Sequence, residues 1–241
     1  MVALLEIEGL HKAFGGLAAV DGIDLSLAEG ALHALVGPNG CGKSTLFNLI
    51  TGALRPNSGR VRFAGQDITG WPVHRIARAG IGRKFQVPAV FDELTVAQNL
   101  AVPRWSGRRL GMLKRADLAA SEEQLANIHL AGKGAVPAGT LSHGERQWLE
   151  IGMLLAARAR LLLLDEPTAG MTQAETAATA ELIRGITGHA TVLVIEHDIG
   201  FIEALGCPVT VMAKGRILCA GSFAEIRTDA RVRELYFGRA A

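Results

Sequence analysis

The 241-residue chain predicts an α/β fold with an N-terminal antiparallel β portion and a helical lobe inserted into the α/β core. Three observations carry this. Apolar and polar residues alternate near the N-terminus. A continuous apolar run, Ala31 to Val36, passes through a glycine turn into a helix-forming stretch. The α/β alternation then resumes after a region, Gln86 to Ser142, punctuated by prolines and glycines.

The elements follow in order. Leu5 and Ile7, then Ile23, Leu25 and Leu27, alternate with polar residues as half-buried antiparallel strands do. Ala31 to Val36 has the pattern of a strand buried on both faces. It leads into Gly37-Pro38-Asn39-Gly40 and a helix from Lys43 to Ile50. Arg55 to Gly59 reads as a turn and Arg60 to Phe63 as a short strand. In the inserted lobe, Thr95-x-x-Gln98 is a capping box that starts a helix. Leu161 to Leu164 and Thr191 to Ile195 read as buried strands, and Val209 to Ala220, broken by Lys214-Gly215, as a hairpin. There is no internal repeat and no low-complexity linker.

Hydrophobic residues make up 49% of the chain, enough for a sizeable core. No apolar run reaches the roughly 18 residues of a membrane span; Arg158 and Arg160 break the most apolar region, Ile151 to Leu164. Glu6 and Glu8 stand where a signal peptide would be basic, so a cytoplasmic location is expected. Cys41, Cys207 and Cys219 have neither paired nor metal-ligand spacing, which fits a reducing compartment. A net charge of +2 is too small to imply nucleic acid. Arg104, Arg108, Arg109, Lys114 and Arg115, with Trp105 among them, read as a solvated loop or, as the alternative, a face near anionic lipid headgroups.

Gly37-Pro38-Asn39-Gly40-Cys41-Gly42-Lys43-Ser44 fits the phosphate-loop pattern G-x-x-x-x-G-K-[ST]. Its glycines let successive N–H groups face phosphate oxygens, and the following helix adds its dipole. Lys43 is expected at the β- and γ-phosphates of ATP, Ser44 at Mg²⁺, and Thr45 at an α-phosphate oxygen. A bulky reagent on Cys41 is expected to block the loop sterically. Leu161 to Leu164 ends in Asp165-Glu166, and a core strand cannot bury adjacent acids without partners. They belong at its C-terminal edge, where open α/β sheets bind ligands. Asp165 suits a water-mediated Mg²⁺ contact, and Glu166 a base that orients or deprotonates the attacking water. Leu141-Ser142-His143-Gly144-Glu145 opens the next helix with an S-x-x-E capping box. It is either a well-made N-terminus or a second anion site.

A phosphate loop, Gln86 after a strand, Leu-Ser-x-Gly-Glu at 141–145, Asp165-Glu166, and His197 at a strand end together resemble the ABC-transporter ATPase family. The resemblance covers essentially the whole chain. It implies a RecA-like P-loop core with an N-terminal antiparallel β subdomain (1–86 and 159–241) and a helical subdomain (87–158) carrying the signature. It assigns catalysis to Glu166, His197, Gln86 and Lys43. Nucleotide contacts go to Phe14 (adenine stacking, or simply a core aromatic), Val20, residues 37–45, Ser142, Gly144 and Glu145. Magnesium contacts go to Ser44, Gln86 and Asp165. Two positions depart from the common family pattern: His143 stands for a glycine and Thr172 for an aspartate. Thr172-x-x-Glu175 still forms a capping box.

Phe14-Gly15-Gly16-Leu17-x-Ala19-Val20 is similar to the branch that imports branched-chain amino acids and urea. Residues 81–86, 141–145, 147–154 and 169–172 resemble the larger ATPase subunit of urea importers. The resemblance therefore implies urea import, with a branched-chain amino-acid or other polar-solute importer as the alternative. It implies a second ATPase subunit, identical or related, transmembrane permease subunits and, indirectly, a periplasmic solute-binding protein. A soluble ABC ATPase outside transport is disfavoured, since the chain has one phosphate loop, one signature and no sustained heptads.

Overall fold

The computed structural model describes residues 3–84, 89–105 and 122–237. Its strands are β1 (Ala3–Phe14), β2 (Leu17–Ala28), β3 (Leu32–Val36), β4 (Ser58–Phe63), β5 (Gln66–Asp67), β6 (Ile81–Lys84), β7 (Leu161–Asp165), β8 (Thr191–Ile195), β9 (Val209–Ala213) and β10 (Arg216–Gly221). One sheet has the order β2-β1-β4-β5 and is antiparallel; the other has the order β10-β9-β3-β8-β7-β6. In the second, β9, β3, β8, β7 and β6 run parallel and only β10 runs against them.

The predicted alternation sets the register of the first sheet. Leu5 pairs with Leu27 and Ile7 with Leu25, so the apolar residues share one buried face. Gly15 and Gly16 close the β1–β2 hairpin with φ of 52° and 92°. Two consecutive left-handed residues are what a tight two-residue hairpin requires, and only glycine adopts them readily. Lys214 and Gly215 do the same for the predicted β9–β10 hairpin, with φ of 48° and 79°.

The six-stranded sheet is covered on both faces, and strand residues divide between the two cores with a period of two. Leu161, Leu163, Leu193 and Ile195 face α1 (Lys43–Ile50) and the antiparallel sheet. Leu162, Leu164, Val192 and Val194 face the helices of the opposite layer. These include α3 (Val96–Ala101), α4 (Glu122–Ala126), α5 (His143–Ala156), α6 (Gln173–Ile186) and α7 (Ile199–Leu205); α2 (Val73–Ala79), α8 (Phe223–Thr228) and α9 (Ala230–Phe237) complete the described helices. Leu161 to Leu164 have no exposed surface, and each side chain contributes about 1.5–3 kcal/mol of burial.

The helices of the inserted segment do not build a separate core. Leu100, Leu125, Ile128 and Leu130 join the same cluster as the sheet residues Leu162 and Val194. The Thr95–Gln98 capping box is formed as expected. Helices α5 and α6 are pinned by Trp148, whose Nε1–H donates to Thr179 Oγ1 at 2.9 Å. The basic cluster expected from Arg104 to Arg115 lies largely outside the described residues.

Gly152 marks a close contact in this layer. A Cβ there would sit 2.7 Å from Ile128 Cδ1 and 2.9 Å from Leu100 Cδ2. Gly152→Leu gains up to about 1 kcal/mol of helix propensity but overpacks the contact by about 1–3 kcal/mol. Thermal unfolding is expected to show a fall of about 2–4 °C for each kcal/mol of net loss. An unchanged melting temperature would mean that α5 is not close-packed against Leu100 and Ile128.

Candidate nucleotide site

Because β3, β6, β7, β8 and β9 are parallel, their C-terminal ends emerge along one edge, the ligand side of such sheets. Gly37, Glu166 and Glu196-His197 leave β3, β7 and β8 there, with Lys84 closing β6. Segments separated by 30 to 160 residues in sequence are thus brought to one rim.

The loop from Gly37 to Gly42 is formed by close backbone approach. A Cβ on Gly37 would lie 2.2 Å from the Met212 carbonyl oxygen, and one on Gly42 would lie 2.1 Å from that of Ala19. Gly42 also needs its φ of 108° to turn the chain into α1. Behind the loop, the Gly215 N–H donates to Cys41 O at 3.0 Å and the Asp21 N–H to Gly215 O at 2.8 Å. The first turn of α1 contains no acidic residue, so its positive end is unopposed. The Lys43 ammonium folds over the loop and donates to Gly37 O at 2.7 Å and Pro38 O at 3.1 Å. Asn39, Gly40 and Ser44 are exposed, with Pro38 and Thr45 half-buried beside them.

Cys41 differs from expectation. Its side chain is 4% exposed and packs in the core beneath the loop, while its N–H is used internally, donating to Pro38 O at 3.3 Å. The thiol is therefore not on the phosphate-facing surface. Phe14, at the hairpin tip, is 47% exposed and carries Lys12 Nζ 5.2 Å from its ring, so it is not a core aromatic. Val20 is completely buried beneath the hairpin, and its side chain offers no surface to a ligand.

The carboxylates are held from both faces of the sheet. Asp165 Oδ2 accepts from Arg83 Nη2 at 2.9 Å, both side chains being nearly buried; Arg83 Nη1 in turn donates to Asn48 Oδ1 on α1 at 2.5 Å. Glu166 has φ of 46°, a left-handed conformation that costs a non-glycine residue on the order of 1–2 kcal/mol. Its N–H donates to Ile195 O at 2.9 Å, and its Oε1 lies 3.5 Å from Nδ1 of the largely exposed His197. Glu196, 1% exposed, links the two loops. It accepts from the Thr168 N–H at 3.1 Å, the Thr168 hydroxyl at 2.5 Å, and the His197 N–H at 2.9 Å. Arg83, Lys84 and Glu196 carried no role in the sequence reading. The available signal was two adjacent cations closing a strand, which must point to opposite faces. Gln86 lies outside the described residues.

The Ser142 helix start forms its capping box: the Glu145 N–H donates to Ser142 Oγ at 3.2 Å and the Ser142 N–H to Glu145 Oε2 at 3.0 Å. Burial pushes the Glu145 carboxyl up, but its ion pair with Lys133 and its bonds to Ser142 outweigh this and hold it below the usual range. Glu145 thus serves the helix end from within. Gly144 allows α6 to approach, since a Cβ there would meet Glu175 Oε1 at 2.6 Å. The His143 ring turns into its own chain: Nε2 lies 3.0 Å from Ala169 O and 3.1 Å from Gln147 Nε2. The Thr172–Glu175 capping box is also formed.

Among the described residues no group of three or more His, Cys, Asp or Glu side chains could enclose a metal. An exposed Ser44 hydroxyl and an Asp165 carboxylate with one oxygen committed to Arg83 are sparse, hard donors. That set fits Mg²⁺, which keeps several waters and takes phosphate oxygens as ligands.

Residues 20–169 match the ABC transporter family. The chain is 36% identical to the high-affinity branched-chain amino acid transport ATP-binding protein BraF of Pseudomonas aeruginosa, over 98% of both chains. It is 34% identical to the corresponding protein LivG of Escherichia coli, again over 98% of both. A nucleotide-free ATP-binding cassette from an ABC transporter superposes with a TM-score of 0.86 at 28% identity, covering 99% of this chain and 100% of that one. The ADP conformation of such a cassette superposes with a TM-score of 0.85 at 30% identity, with the same coverage. No described helix is long and apolar enough to cross a membrane. The loop geometry, the acids at the rim and this likeness along the whole chain converge: the protein belongs to the ABC transporter family and is its ATP-binding, ATP-hydrolysing subunit.

Proposed function

We propose that this chain powers the import of branched-chain amino acids. The observation that carries the reading is the 36% identity to BraF over 98% of both chains. It fits better than the urea import expected from the sequence. Urea remains the second reading because of particular residues: Lys84, His143 and Thr172 belong to the segments that resemble the larger urea-importer ATPase. In either case the chain would act on the inner face of a membrane, attached through permease subunits and paired with a second ATPase subunit, with a periplasmic binding protein delivering the solute. Residues 1–86 and 159–241 would form the core and β subdomain, and 87–158 the helical subdomain.

In this reading Phe14 stacks on adenine, and N–H groups of the loop between Asn39 and Thr45, other than that of Cys41, receive the phosphates. Lys43 exchanges its bonds to the Gly37 and Pro38 carbonyls for β- and γ-phosphate oxygens. Ser44 and Asp165, with Gln86, would hold magnesium, which supplies positive charge that neutralises the phosphates. Glu166 orients the attacking water and accepts its proton, with His197 close enough to fix that carboxylate and meet the γ-phosphate. Ser142 and Gly144, at the tip of α5, would bind the γ-phosphate of ATP held by the partner subunit. Two positive helix ends then meet across each nucleotide, so ATP would join the subunits and hydrolysis release them.

Two measurements test this. Glu166→Gln is expected to bind ATP as the parent does, with turnover reduced about 10²–10⁴-fold, and to form ATP-dependent dimers visible by light scattering. Turnover near the parental rate would remove Glu166 from the role. In cells lacking the chain, uptake of labelled leucine is expected to fall while urea uptake is retained. The opposite pattern would favour the urea reading.

A further inference from the structure

Lys84 has no exposed surface, which is rare for a lysine, and the reaction as described above leaves it without a task. Its position follows from the strand. Arg83 and Lys84 are consecutive in β6 and point to opposite faces of the sheet. Arg83 takes the α1 face, where it meets Asn48 and Asp165. Lys84 takes the other. It pairs in register with Leu164, whose side chain lies in the core shared with Trp148 and Ile151 of α5. Glu150 of the same helix is 4% exposed, and Glu196, at the end of β8, is 1% exposed. Glu150, Asp165, Glu196 and Glu166 all act on the ammonium electrostatically and raise its pKa, although burial, the largest influence, lowers it below the ordinary lysine value.

We propose that Lys84 is a positioning residue: its buried ammonium ties Glu150 of the signature helix to the carboxylates at the ends of β7 and β8, and so sets where Glu166 and Asp165 stand at the phosphate edge. A cation is needed because several carboxylates converge from three elements where water cannot screen them, and Arg83 reaches Asp165 only from the opposite face. Glu196 then transmits the placement to the next loop through its bonds to Thr168 and His197. Its attraction to Lys84 and its bonds to these loops join the middle of α5 and the hydrolytic rim into one unit. The inference rests on Glu166 being the group that handles the attacking water.

The test compares Lys84→Met, Lys84→Met/Glu150→Gln and Glu166→Gln in the full chain, reading melting temperature, ATP dissociation constant, KM and kcat. The double variant removes the charge pair together, so it keeps the fold without an uncompensated buried carboxylate at Glu150. It is expected to bind ATP within about twofold of the parent while kcat falls about tenfold or more. A purely structural lysine predicts the reverse: once the fold is restored, kcat returns. Parental kcat in the double variant overturns the proposal, and so does failure of that variant to fold, because the cation would then serve the core and not the site. Parental turnover in Glu166→Gln overturns the underlying reading of Glu166, whatever the Lys84 variants do.

Discussion

Two backbone carbonyl oxygens, those of Ala19 and Met212, occupy the space where side chains would begin at Gly42 and Gly37. Everything else at the site depends on that contact. It presses the phosphate loop between β2 of the antiparallel sheet and β9 of the central sheet, so the two sheets and the loop are one packed object. The β9–β10 turn closes the arrangement through Gly215, bonded to both Cys41 and Asp21. The loop is therefore shaped by the protein's own backbone. A preformed cradle of N–H groups does not spend binding energy on being ordered by the ligand.

The second requirement is to keep acids at the end of a buried strand. Asp165 is 4% exposed and Glu196 1%, depths at which a lone carboxylate is costly. The structure answers with cations and dipoles from every side: Arg83 on the α1 face, Lys84 on the α5 face, and the Thr168 hydroxyl and several backbone N–H groups around Glu196. Breaking one partner of a buried ion pair costs about 3–5 kcal/mol in general, while a neutral replacement of both is often harmless. Such networks are thus weak reasons for a fold and strong devices for fixing a geometry. The left-handed φ of Glu166 belongs to the same economy, being a local strain held by its bond to Ile195.

Much of this was legible in the residues. The phosphate loop, the Asp165-Glu166 strand end, three of the four described capping boxes and the β9–β10 hairpin follow from local pattern, because each is decided by neighbours within a few residues. What was not legible depends on contacts between distant segments. Glu196 looks like half of a strand end until Thr168 comes beside it. The burial of Val20 and of the Cys41 thiol depends on which face of a strand or loop turns inward. The inward turn of His143 depends on where Ala169 lies. The solute is a different matter: in the proposed function other subunits bind it, and the likeness to BraF and LivG outweighs short segments such as 81–86.

The central claim is that the phosphate loop is held in shape from behind by the Ala19 and Met212 carbonyls. Gly42→Ala tests it most directly, because a single methyl group must enter space already filled by the Ala19 carbonyl oxygen while Lys43 and Ser44 stay in the sequence. Titration of ATP into this variant by calorimetry, in parallel with the parent, is predicted to show affinity reduced about tenfold or more with the protein still folded. Affinity equal to that of the parent would contradict the account.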